Sequence, residues 1–207
     1  MLYLLISTSL VIDNYINYRI YQYIREINNI LNIFNKNIKN IKIIIIENNG
    51  NTNTFLDNFG VDVFYTNTNN ILKTQNKGIK EITDILLCID KYNIKDDDLI
   101  VKITGRYILK EDSIFIKELT NISDNIECII RYGNYFDLSS TCKTDCITGL
   151  IAMKCKYIKQ IEYINEDDCI EWEWARKSQL IDTKNIIELR ELGLLICPSS
   201  YTEYIDI

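Results

Sequence analysis

At 207 residues, 47% of them hydrophobic and 25% charged, the chain is long enough to bury a sizeable core as one domain. A net charge of −6 and an isoelectric point near 4.8 argue against a nucleic-acid or anionic-membrane partner, both of which call for a basic excess. Roughly three residues in ten are isoleucine or asparagine, against one proline and no histidine, a bias that AT-rich codons explain and that points to an AT-rich virus, parasite or bacterium as source.

In chain order, Leu2 to Thr8 is a continuous apolar run suited to a strand buried on both faces. Met1 to Leu10 lacks a basic leader and is interrupted by Asp13 and Asn14, so it reads as this strand rather than a signal peptide. Ile16, Ile20, Tyr23, Ile24, Ile27, Ile30 and Leu31 recur at helical spacing. Ile41 to Ile46 is a second buried strand, stopped by Asn48-Asn49-Gly50, and Val61 to Tyr65 a third. Helical spacing returns over Gly78 to Tyr92, and Leu99 to Ile103 is a fourth strand. Further on, Ile126 to Arg131 and Ile147 to Met153 read as strands. Lys154 to Ile164 and Asp168 to Leu180 read as helices, and Leu192 to Cys197 is a last apolar piece before Pro198.

The β-α-β-β-α-β order with strands too apolar for a one-sided sheet predicts an α/β fold, a mixed but largely parallel sheet flanked by helices. Nothing divides the chain, so 1–207 is expected to be a single domain. Residues 1–110 would form a nucleotide-binding half and 111–207 an acceptor-facing half. No stretch approaches the ~18 apolar residues of a membrane span. Seven cysteines, odd in number, fit reduced thiols in a cytoplasmic setting, and the spacing of Cys142, Cys146 and Cys155 matches no common zinc pattern.

Ligands of such sheets bind outside the carboxyl ends of the strands. Those ends carry Ser7-Thr8-Ser9, Glu47-Asn48-Asn49, Tyr65-Thr66-Asn67 and Thr104-Gly105-Arg106. In the last of these, a glycine lets the backbone approach a ligand and an arginine offers a planar fork for phosphate, although a plain strand exit fits the same residues. Asn76-Lys77-Gly78 opens a helix whose free N–H groups and partial positive charge suit a diphosphate, with Lys77 adding a point charge. Asp96-Asp97-Asp98 precedes the fourth strand, so it lies at the wrong end and reads as a solvated turn. In Glu166 to Trp174, Asp167 or Asp168 can cap a helix, or an acidic residue can act as general base. The two tryptophans there cannot share one helical face, so at least one is expected to be exposed or to line a groove.

Asn76-Lys77-Gly78, a helix, an acidic turn and a strand ending Lys102-Ile103-Thr104-Gly105-Arg106-Tyr107 resemble a GT-A-type glycosyltransferase-like family of large DNA viruses and bacteria. The strand into Glu47-Asn48-Asn49-Gly50 and the acidic helix Glu166 to Trp174 carry the resemblance further. It implies transfer of a sugar from a nucleotide-sugar, taken as a UDP-sugar, to a glycan or other hydroxyl acceptor. Ser7, Thr8, Glu47, Asn48 and Asn49 would then lie near the nucleoside, and Lys77, Thr104, Gly105 and Arg106 near the diphosphate. Thr148 and Gly149 would approach sugar or acceptor, with Glu166, Asp167 and Glu171 as base candidates. The Asp-any-Asp metal motif common in that family is missing after the fourth strand, where Thr104-Gly105-Arg106 stands. Metal-independent transfer, or a metal held elsewhere, is therefore expected. Two other readings remain open: a catalytically silent nucleotide-sugar-binding or virion protein of the same fold, and a nucleotidyltransferase. A homo-oligomer is compatible with either.

Overall fold

The computed structural model describes residues 1–10, 16–161, 165–197 and 204–207; Asp13, Asn14, Ile164 and Pro198 lie outside them. The chain runs β1 (Leu2–Thr8), α1 (Ile16–Asn37), β2 (Ile41–Glu47), a 3-10 turn (Phe55–Phe59), β3 (Asp62–Tyr65), α2 (Thr68–Ile71), α3 (Lys77–Lys91) and β4 (Leu99–Thr104). It continues through β5 (Ile108–Leu109), α4 (Ile114–Thr120), β6 (Cys128–Ile130), β7 (Leu150–Lys154), α5 (Cys155–Ile158) and α6 (Ile170–Ser178). A short 3-10 turn then leads to β8 (Ile186–Glu188), β9 (Leu194–Ile196) and β10 (Ile205–Asp206).

Seven strands form one sheet in the order β3-β2-β1-β4-β7-β6-β8. β1 to β4 are parallel, β7 runs against both β4 and β6, and β6 is parallel to β8. This is the mixed, largely parallel α/β sheet expected from the apolar runs. A small antiparallel sheet, β10-β9-β5, stands beside it.

Alternation along the strands divides the core in two. Leu4, Ile6, Ile43, Ile45, Val101 and Ile103 face α1 and α4 through Ile27, Ile30, Phe34, Phe115 and Leu119. Leu5, Ile44, Ile46, Ile100, Ile151 and Met153 face α3 and α6 through Ile82, Ile85, Ile89 and Trp174. The chain thus moves outward from β1 to β3 and then returns to place β4 on the other side of β1. That reversal between β1 and β4 is a topological switch point, where the strand ends diverge and leave a crevice.

Several elements differ from expectation. The strand expected from Ile147 begins at Leu150, and just before it the Thr148 carbonyl accepts from Lys102 Nζ and the Gly149 carbonyl from the Thr104 amide. The helix expected from Lys154 is described only as Cys155–Ile158, and α6 starts at Ile170 rather than Asp168. Its N-cap is Cys169, with no side-chain cap, while the Asp168 carboxylate instead accepts from Asn165. In the Asp96-Asp97-Asp98 turn, Asp98 is buried and takes the Lys95 amide, so only Asp96 and Asp97 are solvated. Trp172 is exposed and Trp174 buried, as two tryptophans two residues apart require. All seven cysteines are free thiols.

Candidate active site

A cavity of about 740 Å³ opens at the carboxyl ends of β1 and β4, between the first turns of α3 and α6. The sheet order sets its axis. Asn48 follows β2, Ser7 to Ser9 end β1, Thr104 and Arg106 end β4, Thr148 precedes the reversed β7, and Asn134 to Phe136 follow β6. At ~4.8 Å per strand, the four steps from β2 to β6 span roughly 19 Å.

At the β2 end the walls are polar. Asp84 is buried and accepts from Thr66 Oγ1 (2.6 Å), Thr68 Oγ1 (2.7 Å) and Asn48 Nδ2 (3.1 Å). Burial raises the pKa of its carboxyl above the ordinary value, and those three donors oppose the shift. Because Asn48 must donate to this carboxylate, its Oδ1 is fixed as an acceptor, and that atom is buried without a partner. Arg19 Nε, on the same cavity lining, is a buried donor without a partner.

Over the whole cavity the lining sets five cations, Arg19, Lys77, Lys80, Lys102 and Arg106, against four carboxylates, Glu81, Asp84, Asp145 and Glu171. The cavity therefore carries a positive excess inside a chain of net charge −6. Lys102, only 2% exposed, lies on β4 and faces α3. It donates to Glu81 Oε1 (2.8 Å), the Thr148 carbonyl (2.8 Å) and Thr104 Oγ1 (3.3 Å), and Ser7 Oγ reaches the same Glu81 oxygen at 2.8 Å. Arg106 donates to the Cys197 carbonyl and lies 4.7 Å over the Tyr107 ring.

Asn76 builds the junction of the two helices. Its Oδ1 accepts from the Gly78 and Ile79 amides, and its Nδ2 donates to the Glu166 and Asp168 carbonyls. Two of the N–H groups expected to be free at this helix start are thus already capped, leaving the dipole and Lys77 to act on a ligand. A Cβ on Gly78 would fall 2.6 Å from Ile170 Cβ, so only glycine lets the first turns of α3 and α6 approach this closely.

Ser7, Thr8, Asn48, Lys77, Thr104, Arg106, Thr148, Gly149 and Glu171 all line the cavity. The remaining candidates do not. Glu47 is fully buried, accepting from Thr8 Oγ1, the Leu10 amide and Asn49 Nδ2, so its carboxylate braces the β1–β2 ends from behind. Asn49 in turn accepts from Asn69. Gly105 is needed for packing: a Cβ there would meet Ile6 at 3.0 Å and Thr8 at 3.1 Å, and its amide donates to the Ser7 carbonyl. Glu166 and Asp167 are exposed, and Glu166 accepts from Thr74. Glu81 and Asp84 were not singled out by sequence reasoning, and Lys102 entered only as the first residue of the Lys102–Tyr107 run, with no role at the site. A lysine inside an apolar strand and two acids one helical turn apart were the available signals.

Glu171, in the first turn of α6, accepts from Thr148 Oγ1 at 3.3 Å. Burial, reinforced by the Glu81 charge, pushes its carboxyl above the usual range, while the α6 backbone, Lys102 and Thr148 pull the other way. Proteins of this fold often hold a divalent cation, and the residues here do not fit one. Glu81 is tied to Lys102 and Ser7, Asp84 to three donors, and no three acidic, cysteine or histidine side chains converge among the described residues.

No family model matches the chain. No curated protein sequence matches it either. Solved structures do. One is the mannosyltransferase PcManGT from Pyrobaculum calidifontis in complex with GDP-Man and Mn2+, at TM-score 0.57 and 6% identity. That match covers 97% of this chain, which spans only 58% of the length of the mannosyltransferase. The inositol-1-phosphate CTP transferase from T. maritima matches at TM-score 0.51 and 9% identity, over 90% of this chain and 84% of that one. A CMP:2-keto-3-deoxy-manno-octonic acid synthetase complexed with CTP matches at 0.50 and 7%, over 91% and 88%. The fold is GT-A-like.

Proposed function

We propose that this chain is a glycosyltransferase that moves a sugar from a nucleotide-sugar donor to a hydroxyl acceptor. One observation carries the reading: the cavity at the switch point is lined by the cations Lys77 and Arg106 together with the carboxylate of Glu171. The nucleoside would lie toward β2, where Asn48 and Asn69 line the cavity, and the diphosphate would lie over the ends of β1 and β4. As the bond from the anomeric carbon to phosphate oxygen breaks, the nucleoside diphosphate leaves with the electron pair. Arg106, Lys77 and the α3 dipole meet that charge through this chain's own groups. The acceptor oxygen bonds to the anomeric carbon and its proton passes to Glu171, whose raised pKa suits a general base.

The fold is shared with nucleotidyltransferases. Glycosyl transfer is favoured because two of the four cavity carboxylates are engaged, Glu81 by Lys102 and Ser7 and Asp84 by Thr66, Thr68 and Asn48, rather than poised around a metal-bound triphosphate. Thermal-shift titration with UDP, GDP and CDP, in EDTA and in manganese, tests the donor site, and release of nucleoside diphosphate from the corresponding sugar nucleotides tests turnover. Stabilisation in EDTA that Arg106→Ala abolishes is expected. No stabilisation by any nucleotide would favour a silent protein, and turnover of CTP in place of sugar nucleotides would favour nucleotidyl transfer.

A further inference from the structure

The far end of the cavity carries large aromatic side chains that the donor does not need. Phe136 is 73% exposed and Trp172 48%, yet both line the cavity, Trp172 being the neighbour of Glu171. Phe136 sits on a braced loop. Arg131, itself buried, donates to the Leu138 and Arg190 carbonyls, and Asn134 Oδ1 accepts from the Phe136 and Asp137 amides. Gly133, at φ 89°, brings the loop back so tightly that a Cβ would fall 2.2 Å from the Ser140 carbonyl oxygen. The Tyr135 ring lies 4.2 Å from that of Phe136 and packs on the core. Asp145 closes the same wall, held by the Cys146 amide and by Asn134.

We propose that this β6–β7 end is an acceptor subsite for a neutral carbohydrate. Phe136 and Trp172 would stack on the apolar face of a sugar ring, and Asn134 and Asp145 would bind its hydroxyls. An exposed ring next to a carboxylate suits a ligand that offers C–H groups on its face and O–H donors at its edge. An alkyl chain would instead desolvate Asp145 and Glu171 without pairing them. A uronic acid would set its carboxylate against both. The assignment of this sugar as acceptor rests on the donor reading above, since Glu171 lies between the two ends.

Saturation-transfer NMR with maltose, lactose, cellobiose and glucuronic acid tests the subsite, with UDP thermal shifts run on the same samples. The neutral disaccharides should give transfer signals and glucuronic acid none. Phe136→Ala and Trp172→Ala should each weaken the apparent affinity at least tenfold. Both side chains are exposed, so the melting temperature and the UDP shift should be unchanged. Disaccharide signals that survive both substitutions overturn the proposal, as does silence of every neutral sugar while UDP still stabilises the protein. Sugar binding that the substitutions abolish, in a protein UDP does not stabilise, would uphold the subsite and overturn the donor reading.

Discussion

Lys102→Met removes a charge that three elements of the cavity share. The ammonium is 2% exposed and its three donors go to Glu81, the Thr148 carbonyl and Thr104. Methionine keeps the unbranched stem and is shorter only by the terminal nitrogen, so the loss is mainly electrostatic. Breaking a buried pair by removing one partner costs about 3–5 kcal/mol. Glu81 is 24% exposed and keeps its bond from Ser7, so water can repair part of its loss and the lower end, ~3 kcal/mol, applies. For a chain of this size that is a fall in melting temperature of about 6–12 °C. Urea and thermal denaturation followed by circular dichroism measure it. In a Glu81→Gln background the same Lys102→Met substitution should cost at least ~1 kcal/mol less, because the partner charge is already gone. A loss below about 1 kcal/mol for Lys102→Met, or strict additivity with Glu81→Gln, would refute the shared-charge account.

Glu171→Gln should lower kcat by about 10²- to 10⁴-fold with little change in melting temperature. Because burial raises its pKa, the wild-type rate should fall on the acid side at a pH above the ordinary carboxylate range, and this limb should vanish in the variant. The same sign makes Glu171 a stabilising group when protonated, so its contribution to folding is lost as pH rises through the raised value, a trend that pH-resolved urea midpoints would show. Gly149→Ala would put a Cβ 2.8 Å from Tyr107 Cε2 and shift the ring under Arg106, for a loss of ~1–3 kcal/mol by urea midpoint that Tyr107→Ala in the same chain relieves. Arg106→Lys should keep the charge but not the fork, weakening UDP by about tenfold in isothermal titration, and Arg106→Ala should weaken it further.

The central strands were legible because they are buried on both faces and so appear as unbroken apolar runs. β8 and β10, of three and two residues, are too short to show a period, and the seven-residue α4 offers barely two turns of spacing. The cavity residues at strand ends followed from topology alone. Lys102 and Glu81 were not legible as a pair, since their contact joins a strand to a helix 21 residues earlier and only the register brings them together. The asparagine-rich pieces misled in the other direction. Their abundance reads as codon bias, yet Asn49, Asn69 and Asn76 hold the β2 end and the α3 start through side-chain bonds. Glu47 shows the limit of the strand-end rule. Its backbone lies at the carboxyl end of β2, but its carboxylate turns inward to brace β1.

The reversal of β7 has a consequence for how such a protein can change. Because β7 runs against β4 and β6, the segment between β6 and β7 is a hairpin connection whose buried ends are fixed in the sheet and whose exposed tip, residues 134–145, projects beyond it. None of the helical crossovers that build the donor side passes through it. Insertions or replacements at that tip can therefore change the wall of the cavity beside Glu171 while β1 and β4 stay as they are. Variation in ligand preference at this end would then need one exchangeable cassette, not a new domain.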